Sequence, residues 1–156
     1  RNVSQNDIDT IYLLANSNPR DLWAIYDSIF NAQYSIDCDS DIICEEAIKV
    51  GLKNFVQDFH FYEYYQRKKA ARRNTNDVYS YISYLLKLHR TNEFTHDELR
   101  NQASTGGSTT NYITGMMNIG LVKKTGKKRP GGAVIYQIRD AKVTYAIMND
   151  IEISDT

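Results

Sequence analysis

A chain of 156 residues, 42% hydrophobic and 12% aromatic with 12 tyrosines, holds enough apolar material for one medium domain or two small ones, which excludes a disordered chain. No apolar run approaches the ~20 residues of a membrane-spanning helix, and 2 cysteines are too few for a disulfide framework. The formal net charge is zero, yet the charge is segregated: residues 1–48 carry two basic side chains against nine acidic ones, while residues 121–139 carry six basic and none acidic.

Cys38 and Cys44 read as thiols of a reducing cytoplasm, Cys44 buried in a helix. His60, His89 and His96 stand too far from them to suggest metal-ligand spacing. The chain opens on Arg1 without a methionine or a signal-peptide pattern, so it is expected to be a cytoplasmic piece of a longer protein.

The first expected helix, over residues 6–15, places Ile8, Ile11, Tyr12 and Ala15 on one stripe. Asn18 then suits an N-cap and Pro19 the first helical position, where its missing N–H costs nothing. Asp21 complements the positive end of the helix dipole, and Leu22, Ile25, Tyr26, Ile29 and Phe30 continue the apolar face. Residues 1–36 thus form a helical hairpin. Over residues 37–74 a long connecting helix with a basic end is expected, capped by Ser40 or Asp41. Its stripe of Cys44, Ile48, Leu52, Phe55, Phe59 and Tyr62 runs for about six turns. His60, between Phe59 and Phe61, is expected to pack rather than catalyse. Gly51 beside the stripe either permits a close helix crossing or weakens the helix by ~1 kcal/mol. Tyr64 and Tyr65 lead into Arg67, Lys68, Lys69, Arg72 and Arg73, a cluster that reads first as a solvated helix end and second as a surface for nucleic acid. A break is expected near residue 74.

Val78, Tyr81, Ile82, Leu85 and Leu88 build the next helix, and Phe94 is either a hydrophobic staple or a short strand. Thr95 and Glu98 have the spacing of a capping box that starts a helix carrying Leu99 and Ala103. Gly106 and Gly107 break that helix. Ser108 is placed to cap another, with Ile113, Met116 and Met117 at helical spacing and Gly120 as its left-handed end. Leu121 and Val122 then read as one strand and residues 134–138 as its partner, with the turn at 125–132, TGKKRPGG. A closing helix uses Val143, Ala146 and Ile147, and residues 149–156 are expected to fray. The fold class is therefore mainly α with a small β-wing.

Helix, turn, helix and a two-stranded wing is an order that resembles the winged helix-turn-helix superfamily, over residues 75–148. The Asn18-Pro19-Arg20 helix start resembles the helical lid of AAA+ and STAND-type P-loop ATPases, in which such an arginine senses the γ-phosphate. A lid-like hairpin before a winged helix resembles the C-terminal region of bacterial ATPases of this kind. The resemblance implies that Arg20 is nucleotide-sensing, that a P-loop ATPase domain lies upstream, and that ATP and magnesium are held there; it leaves a homo-oligomer open. The chain itself lacks G-x-x-x-x-G-K-[ST], so no cofactor is expected in it, no catalytic or metal residue is assigned, and it is not expected to be an enzyme.

If the winged helix reads double-stranded DNA, its second helix enters the major groove with Ser108, Thr109, Thr110, Asn111 and Tyr112 leading. Lys123, Lys124, Lys127, Lys128 and Arg129 of the wing then meet the phosphates. The alternative is a protein–protein interaction module with no nucleic-acid binding, which the lack of Lys or Arg in the reading helix favours. No membrane partner is expected.

Overall fold

Ser4 opens the first helix of a computed structural model that describes residues 3–66 and 77–155. Its hydroxyl accepts from the Asp7 amide at 3.1 Å while the Asp7 carboxylate accepts from the Ser4 amide at 3.3 Å, a reciprocal cap. The architecture is mainly helical, with seven α-helices and one three-stranded antiparallel sheet among the described residues. None of the described helices is long and apolar enough to cross a membrane. The chain divides into two units, Arg1–Phe59 and His60–Thr156. The break expected near residue 74 and the basic cluster at 67–73 lie outside the described residues.

In the first unit, α1 (Gln5–Ala15) buries Ile11, Leu14 and Ala15. The expected stripe is therefore rotated: Leu14 packs and Tyr12 stays outside, where its hydroxyl keeps its water. Helix α2 (Pro19–Ile36) starts as its sequence requires, with Asn18 Oδ1 accepting from the Arg20 amide at 3.0 Å. It buries Ile25, Ile29 and Ala32, together with Asp21 and Gln33. Phe30, expected on the packed face, is exposed.

Helix α3 (Glu45–Asp58) is shorter than expected. Its N-cap is Cys44, whose Sγ accepts from the Ala47 amide at 3.4 Å, rather than Ser40 or Asp41. The Gln33 amide oxygen accepts from the Cys44 amide at 2.8 Å, which fixes where α3 begins. At the other end Phe59 adopts an extended conformation, and a separate 3₁₀ turn, Phe61–Glu63, follows. His60 is accordingly exposed rather than packed. Within α3 the stripe of Ile48, Leu52 and Phe55 is buried. Gly51 is what lets α3 cross α2, because a Cβ there would lie 2.6 Å from the Ile29 Cα. The Ser28 hydroxyl, donating to the Gly51 carbonyl at 2.8 Å, closes the same crossing.

In the second unit, α4 (Val78–Leu85) buries Val78, Tyr81, Ile82 and Leu85, and Asp77 caps it. Strand β1 (Glu93–Phe94) takes the strand alternative for Phe94, which pairs with Tyr136 and stacks on it at 5.7 Å. Helices α5 (His96–Ala103) and α6 (Thr109–Asn118) follow, then β2 (Val122–Lys128), β3 (Val134–Ile138) and α7 (Ala141–Met148). The strands lie in the order β1-β3-β2. The core gathers Phe94, Leu99, Met116, Leu121, Val122 and Val143, all essentially without exposure.

Two tyrosines just before α4 hold this unit together. Tyr62 donates a short hydrogen bond to Asp77, the cap of α4. Tyr65 donates to Asp140, the cap of α7, at 2.7 Å. Both rings are thus structural. Through Asp155 the C-terminal residues pack rather than fray as expected: Ile151 and Ile153 are buried, and Asp155 Oδ2 lies 3.2 Å from the Tyr62 hydroxyl oxygen, whose one proton goes to Asp77.

Candidate nucleic-acid interface

The start of α6 is set by the turn before it. Ser104 ends α5 in the left-handed region, Gly106 also has positive φ, and a 3₁₀ turn at Gly106–Ser108 runs into α6. The Thr109 hydroxyl donates to the Gly106 carbonyl at 2.7 Å and lies 2.5 Å from the Thr105 hydroxyl. A hydroxyl has one proton, so Thr105 is the donor to Thr109. Thr109 is 0% exposed. Its expected place on a groove-facing surface is therefore corrected: this side chain clamps the turn. Ser108 forms no side-chain cap and stands exposed, which leaves Ser108, Thr110 and Asn111 as the outward residues of the first turn.

Tyr112 is half-buried and stacks on Tyr84 of α4 at 4.6 Å. Burial, and then the hydrogen bond with Tyr112, push the Tyr84 hydroxyl up to about 12. Tyr112 is thus engaged by α4, with only part of its surface outward. His96, which sequence reasoning left aside, brings Nε2 to 3.1 Å from the Thr110 hydroxyl and so borders the same surface.

Helix α6 passes into the sheet through a tight C-terminal motif. The Gly120 amide donates to the Met117 carbonyl at 3.1 Å and the Leu121 amide to the Met116 carbonyl at 2.9 Å, with Gly120 at φ 79°. This fixes the start of β2 against the end of α6. Strand β2 runs farther than the sequence suggested, through Lys128, and the turn is confined to residues 129–133. Gly126 at φ 79° sits in a register shift between Lys124 and Lys128, a bulge in which residues 125–127 of β2 stand opposite Ile135 of β3. The tip closes with the Arg129 amide donating to the Ala133 carbonyl and the Gly132 amide to the Arg129 carbonyl, each at 2.9 Å.

Lys123, Lys124, Lys127, Lys128 and Arg129 are all exposed. They do not form one flat patch. Lys123 and Lys124 are consecutive in a strand, so they project to opposite faces of the sheet. Arg129 is held: its Nη2 lies 3.3 Å from Glu98 Oε1 and 3.5 Å from Oε2. Among the described residues the four lysines form no ion pair.

Arg20 is exposed at the N-terminus of α2 in the first unit. Among the described residues no group of three His, Cys, Asp or Glu comes together to hold a metal ion. No protein family matches the sequence, and neither a characterised protein nor a solved structure resembles the chain at a significant level.

Proposed function

We propose that the unit His60–Thr156 is a winged-helix domain that binds double-stranded DNA with modest sequence preference. The order α4-β1-α5-α6-β2-β3 and the sheet order β1-β3-β2 support that architecture. The observation that carries the function is the β2–β3 hairpin, four of whose lysines are exposed and without ion-pair partners among the described residues, joined directly to α6 through Gly120 and Leu121. Cations so displayed neutralise phosphates and release counterions. Ser108, Thr110 and Asn111 on α6 then contact phosphate or base edges, Asn111 being the residue suited to adenine.

A second reading, a protein-docking module, draws on one observation: the exposed first turn of α6 carries hydroxyls and an amide but no cation, and Thr109 is withdrawn from it. Lys127→Ala/Lys128→Ala separates the two in duplex binding followed by fluorescence anisotropy. The DNA reading requires weakening of about tenfold or more at low salt. Unchanged or absent binding in both proteins favours docking.

For the first unit we infer a place in a longer, nucleotide-dependent protein, with Arg20 directed to a bound nucleotide. The Asn18-capped, Pro19-led helix start supports this, because it puts a permanent cation at the positive end of a helix. Nucleotide turnover by the longer protein carrying Arg20→Ala tests it; undiminished hydrolysis removes the role.

A further inference from the structure

Helices α1, α2 and α3 leave between them an open groove of ≈ 270 Å³ lined by Val3, Ile8, Tyr26, Phe30, Ile43 and Ile48 among others, all apolar or aromatic. Along α2, Trp23, Tyr26, Phe30 and Tyr34 recur at spacings of three, four and four residues, which places them within about 80° of one another around the helix. Trp23 is 75% exposed, Tyr34 71% and Phe30 57%. Tyr26 stacks on Phe30 at 6.4 Å, and these two rings also line the groove, so the aromatic strip and the groove are one continuous apolar surface. Contiguous exposed apolar surface of this kind marks an interaction site.

The charge around it decides the kind of partner. Asp9, Asp27, Asp37, Asp39, Asp41, Glu45 and Glu46 are exposed on the same helices and their connections, against Arg20, Lys49 and Lys53 as the exposed cations described between residues 3 and 58, Lys49 lying 3.9 Å from Glu45. Two copies of so acidic a face repel each other, which disfavours a second copy of this chain as occupant. A helical segment laid in the groove supplies apolar residues at one-turn spacing and needs cations on its flanks to meet the carboxylates. We propose that the first unit binds an amphipathic helix of a partner protein, apolar on one side and rich in lysine and arginine on the others. The site is separate from the DNA-binding hairpin and does not depend on it.

Trp23, the single tryptophan of the chain, reports on the test. The full chain is titrated with an 18-residue peptide of leucines at helical spacing among lysines, with a scrambled peptide of the same composition, and with one in which glutamate replaces lysine. The expected result is a saturable blue shift of Trp23 emission with the first peptide, at least tenfold weaker binding with the other two, and a loss that grows with salt. Phe30→Ser and, separately, Tyr34→Ser remove exposed rings and are expected to weaken binding by about fivefold or more with unchanged circular dichroism. Asp27→Asn/Asp41→Asn/Glu45→Gln weakens it by a similar factor and flattens the salt dependence. Equal binding of the scrambled or acidic peptide, no shift at all, or wild-type binding by both ring variants overturns the proposal. So does self-association that Phe30→Ser abolishes, which assigns the face to a second copy.

Discussion

Arg129 at the tip of the β2–β3 hairpin is bonded to Glu98, the residue whose carboxylate also closes the cap of α5 by accepting from the Thr95 amide at 2.9 Å. One carboxylate therefore serves two purposes, starting a helix and tethering the tip of the basic hairpin. A phosphate that recruits Arg129 must compete with it. Glu98→Gln keeps a side chain able to accept from the Thr95 amide while removing the charge. Half-exposed pairs of this kind contribute only about 0–1 kcal/mol. The variant is expected to melt within a few degrees of wild type and to bind duplex DNA about two- to fivefold more tightly at low salt. Anisotropy titrations alongside thermal melts check both halves; unchanged affinity means that Arg129 takes no part.

Gly51→Ala sets two effects against each other. Helix propensity favours alanine by about 1 kcal/mol. The new methyl, however, meets the Ile29 backbone, which has no soft way to yield, and overpacking of this kind costs about 1–3 kcal/mol. Net destabilisation of the first unit is expected in urea unfolding, read by far-ultraviolet circular dichroism; a stabilised variant shows that the crossing is looser than described.

Thr109→Val removes a hydroxyl while keeping the shape. It leaves the Thr105 hydroxyl and the Gly106 carbonyl without the partners that they now have. A loss of about 1–3 kcal/mol is expected from stranding the buried Thr105 hydroxyl, Gly106 being exposed to water, and Thr109→Ser should recover most of it. Urea midpoints of the two variants give the comparison.

Alkaline pH tests the tyrosine ties. Burial, with Asp77 and Asp155 beside Tyr62 and Asp140 beside Tyr65, raises both hydroxyls well above the usual tyrosine value, and Tyr84 is pushed up to about 12. The folded values lie above the unfolded one near 10. The unfolded chain therefore loses these protons first. Their contribution to stability is complete below about pH 10 and falls as pH rises from there through the folded values. Urea midpoints should drop between pH 10 and 12, and absorbance at 295 nm should show these rings ionising only as the protein unfolds. Ionisation with the exposed tyrosines, without unfolding, contradicts the assignment.

The features that the sequence declared are those decided within one turn of chain. Thr95 with Glu98, Asn18 with Pro19, and Gly120 after Met117 specify helix ends from neighbours three or four residues away, and the structure uses each of them. Ser108 looked like a cap by the same logic, but the adjacent Thr109 satisfies the turn from inside. The end of α3 was hidden for a different reason. Phe59 continues the apolar spacing of α3, and nothing local announces that the chain turns there so that Phe61 can be buried with Tyr79 and Tyr65. The tethers from Tyr62 and Tyr65 to helix caps, and from Arg129 to Glu98, join residues 15, 75 and 31 positions apart, and single-sequence periodicity carries no signal for them. The basic hairpin was legible as charge and glycine. That its lysines divide between two faces of the sheet depends on how far β2 extends and where its bulge falls.

The central claim is that the hairpin lysines and the exposed start of α6 meet a polyanion. The slope of log affinity against log salt for a short duplex tests it most directly. Three or four neutralised phosphates, since Lys123 and Lys124 project to opposite faces, predict a slope of about −2.7 to −3.6, reduced in magnitude by about 1.8 in Lys127→Ala/Lys128→Ala. A slope near zero, or one that the double variant leaves unchanged, contradicts the claim.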